Sequence, residues 1–398
     1  MAVVPTVTVL VPTFNRADFL AECLDSILSQ TLTPSQVIVV NDGSTDDTLN
    51  VLAPYRDRIE YIETPQLGKP AAINAGLERV TGAYLWIFDD DDVAFPEALA
   101  RFVEPLEAHP EHGFSYSTFY YTASRPEDNR LGPILDESRI PDVQKHGFLP
   151  PLLEMNFLGG AALFARTSCY ACVGPFDVKL VRSQDYEMAI RIARRFSGVR
   201  IPGGPTFHYR QHGGLRGSAR DRFEVDRRQR KWFEYNQVFF RRLYREIPLC
   251  EYLPPGASLK KHLRQAHLQR LAIVASKMLM PEVFSELDAL ARLEDRTPLS
   301  GRERSILLAM ILRRACYRGG SLNDQLEFFA RVRCLARSSD VTRLIRRELL
   351  ACLPRRWKIL GQWKNPRQTV GMIRKALCLY LPGLLEKRCS TSTPLAEP

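Results

Sequence analysis

Short apolar runs and amphipathic stretches alternate through the first half of the chain. Residues 7–12 (VTVLVP) and 36–42 (QVIVVND) are rich in β-branched side chains, and 59–64 (IEYIET) and 83–89 (AYLWIFD) follow in the same style. Between the first two runs, Leu20, Cys23, Leu24, Ile27 and Leu28 fall at helical spacing. Asn15 reads as the cap of that helix, with Asp18 three residues on. Ser44 and Asp47 resemble a capping box opening a second helix. Residues 71–78 read as a third, closed by Thr81-Gly82. Strand–helix alternation of this kind implies βαβ crossovers. The expected fold is α/β, a Rossmann-like, mostly parallel sheet with helices on both faces.

The texture changes after Arg216. Strand-like runs stop, and residues 220–245 combine many arginines with Trp232, Phe233, Tyr235, Phe239 and Phe240. Pro254-Pro255-Gly256 breaks this segment, and helical patterns then continue from Leu259 to about Leu353. Three parts are expected: an α/β domain over 1–218, an α-helical extension over 219–353, and a basic amphipathic tail over 354–398 with a disordered end. Residues 354–388 carry nine basic side chains and one acid, beside Trp357, Trp363 and several leucines. Such a segment could lie on an anionic membrane surface or pack its apolar residues on the helical part.

With 398 residues, 45% of them hydrophobic, the chain has room for more than one domain. A net charge of +10 fits either an anionic partner or plainly solvated lysines and arginines. The start of the chain reads as a strand and not as a charged leader, and no apolar run is long enough to span a bilayer. Nine cysteines are then expected as reduced thiols in the cytoplasm, with the protein peripheral at the inner face of the membrane if the tail binds there. Cys169 and Cys172 form a lone C-x-x-C better read as packing than as a metal site. His109-Pro110-Glu111-His112 reads as a surface turn, because proline opposes a regular helix. The arginine-rich segment carries no nucleic-acid motif, and no nucleic-acid partner is expected.

The candidate chemistry gathers at strand ends, where α/β sheets bind ligands. Thr13 and Asn15 follow the first strand, and Asn41 and Asp42 close the second. The fourth strand runs into Asp89, Asp90, Asp91 and Asp92 (LWIFDDDDVAFP). Four adjacent carboxylates repel one another. Hard divalent cations such as Mg²⁺ or Mn²⁺, shared with a substrate phosphate, relieve that repulsion.

In this order the motifs resemble family 2 glycosyltransferases, nucleotide-diphospho-sugar transferases of the A-type glycosyltransferase fold. VLVPTFNRADFLAECLDSILSQT resembles the family's first strand and helix, VIVVNDGSTDDT its base-reading segment, and GKPAAINAGL a nucleotide-contacting helix. AYLWIFDDDDVAFPEAL matches its D-x-D segment, VGPFDVKLVRSQDYEMAIRIARRF the acidic pair before a helix, and IPGGPTFHYRQHGG the closing histidine segment. The resemblance covers roughly residues 7–218. It implies a donor site of Pro12, Thr13, Asn15, Asp42, Lys69, Asp89 and Asp90. It also implies a metal held by Asp91 and His212, with His208 nearby, and Asp185 as catalytic base. Two positions depart from the usual pattern: Ile73 stands where an arginine is common, and Gln184 where a glutamate usually precedes the base. The implied reaction is inverting transfer from a nucleotide-diphosphate sugar, foremost a UDP-sugar, to a hydroxyl of a glycan or lipid-linked acceptor in envelope polysaccharide or glycolipid synthesis. Two rivals are a sugar-phosphate nucleotidyltransferase and a non-catalytic membrane-associated binding protein. The first needs a glycine-rich loop after strand one, and VPTFNRADF has no glycine. The second does not call for intact acids at Asp42, Asp91 and Asp185.

Overall fold

The computed structural model describes residues 5–125, 127–212, 228–316 and 322–359. The chain divides into two compact units. One comprises Met1–Gln144 with Pro151–Tyr235, the other Lys145–Pro150 with Asn236–Pro398.

In the first unit, β1 (Val7–Thr13), β2 (Gln36–Asn41), β3 (Glu60–Glu63) and β4 (Tyr84–Ile87) alternate with α1 (Ala17–Leu28), α2 (Thr48–Leu52) and α3 (Lys69–Leu77). Then come β5 (Val93–Ala94), α4 (Ala98–Ala108), β6 (His112–Tyr116), β7 (Tyr120–Ser124), β8 (Leu131–Glu137), α5 (Val143–His146) and α6 (Leu149–Glu154), of which residues 145–150 fall to the second unit, and β9 (Leu163–Arg166). α7 (Thr167–Val173), α8 (Gln184–Ala193), β10 (Ser197–Arg200) and β11 (Phe207–Gln211) complete it. A seven-stranded sheet runs β10-β6-β9-β4-β1-β2-β3. β1 to β4 pair in parallel, and β9 alone runs antiparallel, between β4 and β6. All seven residues of β1 are buried, which is why this strand reads as a near-continuous apolar run. α3 lies hard against it: a methyl group at Gly76 would sit 2.3 Å from Leu10 Cδ1. A second sheet, β5-β11-β7-β8, has short strands with little alternation and was not anticipated.

Two expected caps are not made. Arg16, not Asn15, holds the cap position of α1. Asn15 is left-handed (φ 51°), which turns its side chain to the neighbouring loop, where its Oδ1 accepts the Thr45 N–H at 2.7 Å. The Asn15 N–H in turn donates to Ser44 Oγ at 2.9 Å, so Ser44 does not cap α2. Asp46 Oδ1 takes the Thr48 N–H instead, at 3.1 Å. α3 begins two residues earlier than expected, with Pro70 in its first turn, where a missing N–H costs nothing. α4 ends before His109, and His109 pairs with Glu111 at the surface, as a turn. Cys169 is buried and Cys172 exposed.

The second unit is helical. α9 (Arg228–Glu246) begins in the first unit and enters the second at Asn236, and α10 (Leu263–Ser276), α11 (Met280–Ala291), α12 (Gly301–Cys316), α13 (Leu322–Leu335) and α14 (Asp340–Ile359) follow. α14 continues through Pro354, past the 353/354 boundary drawn from the sequence. Residues 213–227, which open the arginine-rich segment, and 360–398, most of the basic tail with its end, lie outside the described residues. Among the described residues no helix is long and apolar enough to cross a membrane.

Candidate functional site

The carboxyl ends of β1, β2 and β4 open on one cleft, closed on another side by the start of α8. Its walls include Pro12, Thr13, Asp42, Lys69 and Asp185, together with Asp89, Asp90 and Asp91. Two residues expected there do not line it. Asn15 ties the β1 exit to the β2 exit, as above, and His212 reaches Asp91 by a 3.0 Å contact from Nε2 to Oδ2. His208 faces elsewhere, bonded to Thr122 Oγ1 and packed against Phe95.

Asp42 is buried, and its carboxylate organises the loop ahead of α3. Oδ1 accepts from Thr64 Oγ1 and the Leu67 N–H, and Oδ2 from the Gly68 N–H at 2.7 Å. That loop delivers Lys69, the first residue of α3, whose Nζ lies 2.6 Å from Asp89 Oδ1. Burial works against the lysine charge, but Asp89 outweighs it and Lys69 titrates above an ordinary lysine.

The four aspartates diverge. Burial, and then the charge of Asp91, raise Asp90 to about 7. The same two causes, with Asp89 added, raise Asp92. Asp92 Oδ1 accepts the Arg210 N–H at 2.9 Å, while its Oδ2 is buried without a partner. Asp89, Asp91 and Asp92 each offer an oxygen within 4.8 Å of the others. Three converging carboxylates, one orphaned oxygen and a single bonded lysine fit a hard divalent cation. The ligand set on this geometry includes Asp92, a member of the four-acid run that the family resemblance did not single out as a ligand.

Arg210 was also missed. Its buried guanidinium donates from Nε to the Asp91 carbonyl at 2.6 Å, from Nη1 to the Asn129 carbonyl, and from Nη2 to Glu22 Oε2 at 2.6 Å. It pins the acidic loop from β11. A lone arginine inside an apolar-and-aromatic stretch (FHYRQ) was the available signal.

Asp185 lies in the first turn of α8, half-buried, with Asn156 Nδ2 3.4 Å from its Oδ2. Burial raises its carboxyl, Lys69 lowers it, and Asp89 raises it again, for a net upward shift. Ser183, just before α8, is left-handed (φ 61°). This arrangement can bind a phosphate-bearing ligand through a cation and present a carboxylate of raised proton affinity to a hydroxyl beside it.

Residues 8–171 match the family described as Glycosyl transferase family 2. An uncharacterized glycosyltransferase of Rickettsia felis is 29% identical over 195 residues, 48% of this chain and 32% of that protein. Glycosyltransferase GlyA of Streptococcus pneumoniae is 41% identical over 95 residues, 23% of this chain and 14% of that one. The chain spans between 31% and 59% of the first three curated relatives. Among solved structures, S. aureus TarS 1-349 aligns over 94% of this chain and 90% of that one, at 13% identity and a TM-score of 0.48.

Proposed function

From the match of residues 8–171 to glycosyl transferase family 2, we propose that the chain is an inverting, metal-dependent glycosyltransferase of that family. It moves a sugar from a nucleotide diphosphate, foremost UDP, to a hydroxyl of a glycan or lipid-linked acceptor. The observation that carries this reading is the convergence of Asp42, the strand-end acids and Asp185 on one cleft.

A divalent cation held by Asp89, Asp91 and Asp92, with His212 against Asp91, would neutralise the leaving diphosphate when bound. Lys69 orients Asp89 and adds positive charge at the same wall. Asp42 fixes the loop before α3 and keeps one lone pair, on Oδ2, for a base N–H. Asp185 takes the proton of the acceptor hydroxyl as that oxygen attacks the anomeric carbon, and its raised proton affinity suits the task. Attack from the side opposite the leaving group inverts the centre, through an oxocarbenium-like transition state.

The test is a donor screen of UDP-, dTDP- and GDP-sugars with and without Mn²⁺, read by calorimetry and by donor hydrolysis. Wild type should bind UDP more tightly with Mn²⁺, and Asp91→Ala should lose that enhancement. Equal metal dependence in the two proteins would remove Asp91 from the ligand set. Nucleotidyl transfer to a sugar phosphate would move the protein to another enzyme class.

A further inference from the structure

Resting on that reading, we propose that Gln184 determines donor specificity: its side-chain amide accepts a hydrogen bond from one hydroxyl of the donor sugar. Gln184 is the first residue of α8 and is only 7% exposed. Its Oε1 is buried and has no hydrogen-bond partner. The residue lines the cleft beside Asp185. It also lines a small recess that shares Lys69, Asp89 and Asp185 with the cleft and is otherwise walled by Tyr170, two glycines and apolar side chains such as Ile73, Ile87 and Met188.

An amide oxygen buried without a donor is unfavourable, and methionine would fill this apolar corner without that penalty. A ligand that brings the missing hydrogen resolves the cost. The partner must be a donor, so a phosphate oxygen cannot serve, whereas a sugar hydroxyl can. Asp89 and Lys69 belong on that reading to the diphosphate side and Asp185 to the acceptor side, and a recess shared by all three is where the donor sugar lies between them, so the hydroxyl is given to the donor sugar. Ser183 supports the placement, because its left-handed backbone sets how Gln184 and Asp185 enter α8 together. Sites built to bond a buried hydroxyl discriminate sharply against the analogue that lacks it, since the protein group is then left unpaired.

The experiment uses the full chain with Mn²⁺, the nucleotide sugar that wild type hydrolyses in the donor screen, and its monodeoxy analogues. Wild type should lose about 10²-fold or more in kcat/KM on one analogue. Gln184→Met, which keeps the packing, should lose a similar factor on the intact sugar and nothing further on that analogue. Gln184→Glu keeps an acceptor oxygen and should keep the discrimination. UDP affinity should be unchanged in every variant, which separates sugar reading from a structural role. The same loss across the deoxy series in wild type and Gln184→Met would overturn the assignment, as would weakened UDP binding in Gln184→Met. If wild type neither binds nor hydrolyses any nucleotide sugar, the glycosyltransferase reading itself falls, and this one with it.

Discussion

Each unit buries carboxylates, and they are treated in opposite ways. In the helical unit, Glu303 receives Arg264 through two bonds of 2.7 and 3.0 Å and the Ser300 N–H at 2.7 Å. Glu286 receives His267, Arg270 and the Tyr244 hydroxyl. Burial pushes both acids up, but these partners outweigh it, and both titrate below an ordinary glutamate. Asp90 and Asp185 in the cleft, and Asp92 buried behind it, all titrate above an ordinary aspartate, because burial and neighbouring acids dominate. Saturated acids hold a fold together. Acids compensated only in part, beside Lys69 and Arg16, form an arrangement that a divalent cation would complete.

The contrast can be broken most severely at Asp185. Asp185→Asn keeps the shape and removes the carboxylate proposed as the base, so on that reading turnover should fall about 10²–10⁴-fold with UDP affinity intact. Near-normal transfer would place the base elsewhere. In wild type the raised carboxyl must be ionised to act. The acid limb of the turnover profile should therefore lie above the usual carboxylate range.

Arg264→Ala comes next. It leaves Glu303 buried without its cation and should cost about 3–5 kcal/mol in denaturant unfolding. A loss under ~1 kcal/mol would class the pair with exposed ones. The pH sign follows from the lowered carboxyls of Glu286 and Glu303. Their contribution is complete above the unfolded value, near 4.3, and is lost as pH falls through the lower folded values.

Asp92→Asn should act in the reverse sense. The amide keeps an oxygen for the Arg210 N–H and removes one repelling charge. In chelator the variant should gain about 1 kcal/mol over wild type. With Mn²⁺ added, wild type should gain thermal stability and the variant much less. Destabilisation of the metal-free variant would mean that the acid cluster is self-sufficient.

The smallest effect per side chain concerns the basic tail, where we propose attachment to an anionic membrane surface at about 1 kcal/mol or less for each basic residue. Full-length protein should pellet with anionic vesicles and release in salt, while a chain ending at Ile359 should not. Equal pelleting of both would refute the tail's role.

The βαβ order and the converging strand ends were legible because buried parallel strands write continuous apolar runs and their exits write Asn and Asp. Residues 7–12 and 36–42 are of this kind. The small second sheet was not legible, since two-residue β5 and exposed β8 have no alternation to read. Asn15 carried two opposed signals, cap and left-handed turn, and the bond to Thr45 decides for the turn. Arg210 and the orphaned oxygen of Asp92 depend on contacts across 118 positions, which no local pattern records.

That separation bears on biosynthesis. The acids leave the ribosome 118 residues before the arginine that pins them, and α1, with Glu22, is earlier still, 188 residues ahead of its partner. Until β11 has been made, a nascent chain carries the acidic loop without its clasp. Because distant contacts form late and slowly, the β1–β4 layer can collapse first while the cleft stays unformed. A growing chain halted before Arg210 lacks the bonds by which β11 holds the acidic loop and α1.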